Sequence, residues 1–397
     1  MFQKNDWAEL WRGLSLLIIW ALLVSPCFGY NRTEFGLQYR NFFQEPQVTA
    51  ATSLSESYEL RGEWEHTSQR GSWSLDVKLF ANLNSEDSQR RYVDARDARL
   101  SYHFDDWRLS GGMGTFFWGV AETVNVANRL NQSDLREGVD GKEKMGQPFV
   151  SIDRSFSEAR LSLYYLPKFI EPTFPGRPAV PMEVPSKGAF EGDPDSDVAL
   201  RLEWFLADAE LGLGLFHGTR RDPLLRPVAS DGESTRLQPF YPRSRSLNLD
   251  VSTFWGDWIL KAELQAGEEL DRGFTAANVG FEYPFYPQLD VVQQVSAVAE
   301  YLLDDRGERA ASIGQNDLFV GLKADWGTLG ENELRWVLGY DLEYGSRYWD
   351  LSLESRLTDF YRMHGKLVVL SASDNRDAQI YPVRTEDYME IGLTVAF

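Results

Sequence analysis

The sequence predicts an all-β protein, a transmembrane antiparallel β-barrel of about 16 strands within a range of about 14 to 18. Apolar and polar residues alternate in many short segments along the chain. The connections between these segments are alternately short turns and long polar loops, and the chain ends in one more alternating segment. Period-two alternation is typical of strands with two different faces, and unequal loop lengths are typical of membrane barrels.

The first 29 residues are predicted to form a leader that is not part of the fold. LSLLIIWALLVSP at 14–26 is a short apolar run, followed by the small residues of CFG, so we expect a signal peptide cleaved near Gly29. Cys27 raises a lipoprotein alternative, which Pro26 disfavours. Because Cys27 is the only cysteine, the mature chain would have no thiol or disulfide chemistry.

Residues 30–397 predict one barrel with long external loops and no second domain. In VALRLEWFL at 198–206, the apolar Leu200 and Leu202 alternate with Arg201 and Glu203. A soluble sandwich would alternate too, but the leader, the aromatic strand ends and the loop lengths favour a barrel with a polar lumen. Alternation is least regular at 35–43 and 149–153. An even strand number follows if both chain ends lie on the periplasmic side.

The last strand, YMEIGLTVAF at 388–397, resembles the terminal strand of bacterial outer-membrane barrels. The resemblance implies an assembly signal read by the barrel-assembly machinery. We assign that signal to Tyr388, Ile391, Leu393, Val395 and Phe397. The strand must also close the barrel against the first one, since an unpaired strand edge is unfavourable in lipid.

The longest early break in alternation is 115–148, where residues 119–130 have the spacing of one or two helical turns. We considered two arrangements, a loop folded into the lumen and a loop packed on the rim. In the first, its carboxylates and amides would narrow the lumen. The candidates are Glu122, Asn125, Asn128, Asn131 and Asp134.

Basic residues alternate with apolar ones on the face that we assign to the lumen. They include Arg99, Arg160, Arg201, Lys323 and Arg335. They would either form a charged channel wall or pair with acidic residues in a filled, non-conducting barrel. A barrel with this number of strands leaves space inside, which favours the wall.

FWGVAETVNVANRLNQSDL at 117–135, KMGQPFV at 144–150 and FHGTRRDP at 216–223 resemble a group of porin-like proteins of Gram-negative bacteria. That group has no assigned chemistry. The resemblance therefore implies a barrel in the outer membrane and adds no catalytic or binding residues.

Composition and spacing narrow the function further. A net charge of −20 excludes nucleic acid as a partner, and no spacing predicts a metal or cofactor site. We expect a non-enzymatic channel for small polar solutes, in contact with outer-membrane lipid and lipopolysaccharide. One alternative is a barrel that transfers lipid with a periplasmic partner. Another is a barrel enzyme on envelope lipid, for which His217 near Asp222 is the best candidate.

Overall fold

The structure is a computed structural model in which part of the chain is described. The described residues are 30–44, 54–68, 70–138, 141–175, 187–228, 236–289, 291–327 and 331–397. The predicted leader, residues 1–29, lies outside them. Within the described ranges no helix is long and apolar enough to cross a membrane. The helices are single 3-10 turns at Ser88–Arg90, Gly307–Arg309 and Tyr381–Val383.

The described residues form two sheets, an 18-stranded antiparallel barrel and a small sheet of three strands. The strands are β1 (Tyr30–Phe42), β2 (Leu54–Thr67), β3 (Trp73–Asn84), β4 (Tyr92–Phe104), β5 (Trp107–Gly114), β6 (Gln147–Ser155), β7 (Ala159–Leu166), β8 (Ala189–Phe190), β9 (Asp197–Phe205), β10 (Ala209–Thr219), β11 (Leu224–Val228), β12 (Arg236–Tyr241), β13 (Arg243–Trp255), β14 (Trp258–Glu269), β15 (Arg272–Phe285), β16 (Val292–Asp304), β17 (Asn316–Trp326), β18 (Asn332–Asp341), β19 (Arg347–Arg356), β20 (Tyr361–Ser371) and β21 (Tyr388–Ala396). Strands β8, β11 and β12 form the small sheet, and the others form the barrel.

The predicted barrel is confirmed, but its 18 strands exceed the expected number of about 16 and reach the upper end of the range. The two segments with irregular alternation are strands β1 and β6. Their lumen faces carry the buried aromatic residues Phe42 and Phe149. Both rings pack against other residues inside the barrel, so these strands have apolar residues on both faces and lose the simple pattern.

The two faces of the wall differ as a membrane barrel requires. On β9, Val198 is exposed while Ala199 and Arg201 are buried. On β18, Leu334 and Tyr340 are exposed while Asp341 is buried. Lipid offers no hydrogen-bond partners, so a closed ladder of this kind is needed to satisfy every backbone group in the wall.

The barrel closes between its first and last strands. β1 pairs with β21 from Glu34 opposite Ala396 to Phe42 opposite Tyr388. The backbone N–H of Phe397 donates to the carbonyl of Thr33 at 2.8 Å. The side chains of β21 alternate, since Tyr388 is buried and packs on Phe42 with ring centroids 5.8 Å apart, whereas Ile391 and Leu393 are exposed. The assembly role of this strand stays a prediction.

The barrel has an apolar core inside the lumen, towards the end with the long loops. One buried cluster includes the wall residues Leu302, Phe319 and Val337. The small sheet lies near the same end, and ring contacts of 5.0–5.5 Å join Phe169, Phe190 and Tyr241 there. The lumen is therefore partly filled, and the filling positions the site described next.

Candidate functional site

The segment between β5 and β6, which we call the lumen loop (described residues 115–138 and 141–146), contacts the far side of the barrel wall. It follows β5 at Gly114 and leads into β6 at Gln147. Its main contacts are with β14, β15 and β16. These strands lie six to eight positions around the wall from β5. The loop therefore crosses most of the width of the lumen.

Glu263 on β14 is the first anchor of the lumen loop. Its carboxylate accepts the backbone N–H groups of Val120 and Ala121, both at 2.7 Å. It also accepts those of Val126 and Ala127, at 2.7 and 3.1 Å. Glu263 is 2% exposed. A buried carboxylate is stable without a cation when several N–H groups share its charge, so this contact fixes two stretches of loop backbone at one point.

Glu300 on β16 is the second anchor. Its carboxylate accepts the backbone N–H groups of Glu122 at 2.7 Å and Thr123 at 3.0 Å, and the Thr123 hydroxyl as well. Asn278 on β15 donates to the carbonyl of Val124 at 2.6 Å and to Glu300 at 3.2 Å. Residues 119–130 form bends around these two carboxylates instead of the expected helical turns. The wall groups take the N–H donors that a helix would use internally.

The side chain of Glu122 lies in a charged network next to these anchors. It pairs with Lys261, and with Lys323 at 3.3 Å, while Glu282 contacts the same two lysines at 3.1 and 3.3 Å. Arg335 donates to the Glu122 carbonyl at 3.0 Å. Burial opposes the charge of Glu122, but hydrogen bonds and attraction from the lysines lower its pKa below the ordinary value.

The predicted asparagines serve the lumen loop itself. Asn125 donates to the carbonyl of Trp118 at 2.8 Å and accepts the N–H of Asn128 at 2.7 Å. Asn131 donates to Gly114 at 2.9 Å and Met145 at 2.8 Å, which ties the two ends of the loop together. Asn128 is buried. The side-chain amides of Asn125 and Asn131 therefore hold backbone within the loop and are not open to solute. The buried side-chain amide of Asn128 makes no hydrogen bond with the described residues.

The remaining candidates are paired on the wall or at the loop. The Asp134 carboxylate accepts hydrogen bonds from Arg136 Nε and Arg96 Nη2, each at 2.7 Å. Arg201 forms a bidentate salt bridge with Asp250, with distances of 2.6 and 2.8 Å. Two further pairs are longer and more exposed, namely Arg99 with Asp97 at 3.0 Å and Arg160 with Glu203 at 3.7 Å.

An open chamber of about 760 Å³ lies beside the lumen loop. It is bordered by β1–β4 and β18–β21, and by the loop residues Glu137, Gly138, Lys142 and Glu143. Ten acidic and eight basic side chains line its described wall. None of the ten lumen candidates from the sequence is among the described lining residues. The acidic residues are Glu34, Glu59, Glu63, Glu137, Glu143, Glu331, Glu333, Asp350, Glu354 and Glu390, and the basic residues are Arg40, Arg61, Lys78, Arg96, Lys142, Arg356, Arg362 and Lys366.

Sequence reasoning missed the anchoring role of Glu263 and Glu300. A signal was present at Glu300, since its neighbours on the lumen face of β16 are the apolar Val298 and Leu302. A carboxylate between apolar side chains requires donors from elsewhere in the chain. The sequence gives no means of finding those donors, because they are backbone groups some 140 to 180 residues away.

The structure also bears on catalysis. His217 faces outwards, with Val198 and Arg245 as its register partners. It is therefore turned away from the lumen and from Asp222, which contacts Arg129 and Ser133. Among the residues that the structure describes, no group of three or more His, Cys, Asp or Glu side chains could hold a metal ion.

Comparison with known proteins supports the barrel assignment. No protein-family model matches the chain, and no curated protein does. A BenF-like porin from Pseudomonas fluorescens aligns with a TM-score of 0.53 at 10% identity, covering 92% of this chain and 97% of that chain. OccK3 from Pseudomonas aeruginosa gives 0.48 at 13% identity, with 92% and 95% covered. A Rhodopseudomonas blastica porin mutant gives 0.43 at 8%, with 93% and 99% covered.

At these identities the likeness concerns the fold. The protein is a closed antiparallel β-barrel with the fold of bacterial outer-membrane porins.

Proposed function

We propose that the protein is an outer-membrane channel for the passive passage of small polar solutes. The lumen loop blocks one side of the barrel, and solutes pass through the chamber on the other side. Porins share this fold, and the charged lining of the chamber favours water and polar solutes over apolar ones. No enzymatic step is needed for this function.

The observation that carries the proposal is the anchored loop next to an open, charged chamber. Glu263 and Glu300 hold the loop by its backbone, so the loop is a fixed partition of the lumen. The chamber beside it has exposed charges, such as Arg61 with 54% of its side chain exposed. Ten acidic against eight basic lining residues also favour cations modestly.

A barrel that transfers lipid is the alternative, because the lumen contains an apolar patch. Val124 and Val126 of the loop pack against Leu302, Phe319 and Val337 of the wall and fill that patch. Lipid entry would require the two valines to leave it. Transfer therefore needs a mobile loop, whereas the passive channel needs a fixed one.

Single-channel conductance in a planar bilayer tests the proposal. Residues 120–143 are replaced by a short Gly/Ser link, and Glu210→Gln, which neutralises a carboxylate on β10 outside the loop contacts, serves as the control. We expect a several-fold higher conductance for the deletion and an unchanged value for the control. If neither the wild type nor the deletion conducts, the channel is excluded and the lipid-transfer alternative is favoured.

A further inference from the structure

A shallow groove on the outer face of the barrel has charged groups at one end. It has a volume of about 660 Å³ and lies across β7, β9, β10, β13 and β14. Most of its lining is apolar, including Leu163, Leu200, Leu215, Leu247 and Ala266. These side chains form one row across the strands, since Leu215 is in register with both Leu200 and Leu247.

The next row, one step towards the end with the long loops, contains polar groups. His217 and Arg245 are register partners on β10 and β13, and both are exposed on the outer face. Val198 on β9 is the register partner of His217 on the other side. Glu268 on β14 is in turn the register partner of Arg245. A cation and an imidazole thus lie at one end of an apolar groove, with a carboxylate beyond the cation.

The depth of Arg245 matches the level of lipid headgroups. Trp255 ends β13 at the opposite rim, ten residues after Arg245. At the usual strand rise and tilt, this separation corresponds to about 25 Å along the barrel axis. The apolar band of outer-membrane barrels has about this height. Arg245 and His217 therefore lie where the phosphates of the outer leaflet are expected, and the groove lies beside the acyl chains.

We propose that this groove binds a phosphorylated, multiply acylated lipid of the outer leaflet, a lipid A. A phosphate is held by Arg245 and His217, and acyl chains lie over Leu215 and its row. The guanidinium is a strong phosphate donor, and its pairing with a phosphate is charge-assisted. Because Glu268 repels anions, the phosphate is expected on the His217 side of Arg245. This inference rests on the outer-membrane location and is independent of conduction.

Native mass spectrometry of the detergent-solubilised full chain tests this site. The probes are bisphosphorylated lipid A and the same lipid without phosphates. The variants are the double substitution Arg245→Gln with His217→Gln, and the control Arg347→Gln. Arg347 is also exposed at the start of β19 but lies outside the groove. Heat-modifiable gel mobility confirms that each variant is folded.

We expect the double variant to bind bisphosphorylated lipid A at least about tenfold more weakly than the wild type and the control. The wild type should prefer the phosphorylated probe by a similar factor. A second change, Leu215→Trp, fills the groove without altering charge and should weaken binding of both probes. Equal binding by the double variant and the control would overturn the proposal, as would a wild-type oligomer that only Leu215→Trp dissociates, because a second copy would then occupy the groove.

Discussion

The two sides of the lumen carry the same kinds of side chain and use them differently. On the side of β14–β16, Glu263 and Glu300 are each 2% exposed and bind loop backbone. The chamber also has buried carboxylates, such as Asp350 and Glu390, but the side chains of Arg61 and Lys78 there are 54% and 47% exposed. A buried carboxylate must be fully hydrogen-bonded, so it fixes structure. An exposed charge is solvated, so it contributes little to stability and mainly sets the electric field that a solute meets.

The largest expected effect on the free energy of unfolding comes from a substitution in the barrel wall, which surrounds both sides of the lumen. Leu338 lies on the lipid face of β18, three residues from Arg335 on the lumen face. Replacing Leu338 by Arg near the middle of the membrane should reduce the free energy of unfolding by about 2–4 kcal/mol. Arg335→Gln should cost much less. Urea titration in lipid vesicles measures both, and the opposite order would reverse the inner and outer faces.

The difference between the anchored side of the lumen and the chamber side is tested by one substitution on each side. Glu263→Gln leaves at least one N–H of the lumen loop without its acceptor and should cost about 2 kcal/mol. Glu354→Gln changes an exposed lining residue of the chamber and should cost under about 0.5 kcal/mol. The same unfolding measurement applies. Equal costs would mean that the lumen loop is not held by its anchor.

A smaller effect is expected at Glu122, where the two sides meet. Glu122→Gln removes one partner from Lys261 and Lys323, and Glu282 remains to pair with both. The expected loss is about 1 kcal/mol because the pair is partly exposed. Because none of these residues lines the chamber, the reversal potential in a salt gradient should change little. A clear shift towards anions would place this network on the permeation path.

The Glu122 network also has a pH dependence with a definite sign. The pKa of Glu122 is lowered in the folded protein from its ordinary value of 4.5. Its contribution to stability is therefore complete above that value and is lost as pH falls through the lowered pKa. Below the ordinary value, the difference in unfolding free energy between wild type and Glu122→Gln should shrink. A difference that is constant from pH 7 to pH 3 would contradict the ionised pair.

The smallest effect on stability is expected inside the chamber. Arg362 is an exposed lining residue on β20. Arg362→Gln should change the free energy of unfolding by under about 0.5 kcal/mol and move the reversal potential towards cations. Arg347→Gln, on the outer face, is the matched control and should change neither quantity. A loss of stability at Arg362 would show that the chamber side, too, is held by its charges.

Much of the wall was predictable from alternation alone. In VALRLEWFL the pattern gives the outward positions of Leu200 and Leu202, because residues two apart share one face of a strand. The pattern was weakest at β1 and β6, which are strands nonetheless, because Phe42 and Phe149 place aromatic rings on the lumen face. Such rings are explained only by residues that reach them from distant parts of the chain, such as Phe116, whose ring centroid is 4.9 Å from that of Phe149.

The lumen was less predictable than the wall. The candidates Lys323 and Arg335 do meet Glu122, but Asn125 and Asn131 are used within the loop. The lining residues of the chamber come from eight strands, the lumen loop and the turn before β18. The sequence does not distinguish a charged side chain that is paired from one that faces water. Whether a carboxylate anchors backbone or faces water depends on which groups the barrel brings within 3 Å of it.

The sequence by itself determined the barrel, the orientation of its strands and the two faces of its wall, because a two-residue period acts locally on each strand. The tertiary structure alone decided which side of the lumen is filled. The lumen loop crosses to β14–β16 because Glu263, Asn278 and Glu300 provide hydrogen-bond partners there for its backbone. Val124 and Val126 find an apolar patch at the same place. The hydrogen-bond partners and the apolar patch lie on different strands and come together only when the 18 strands close into a barrel.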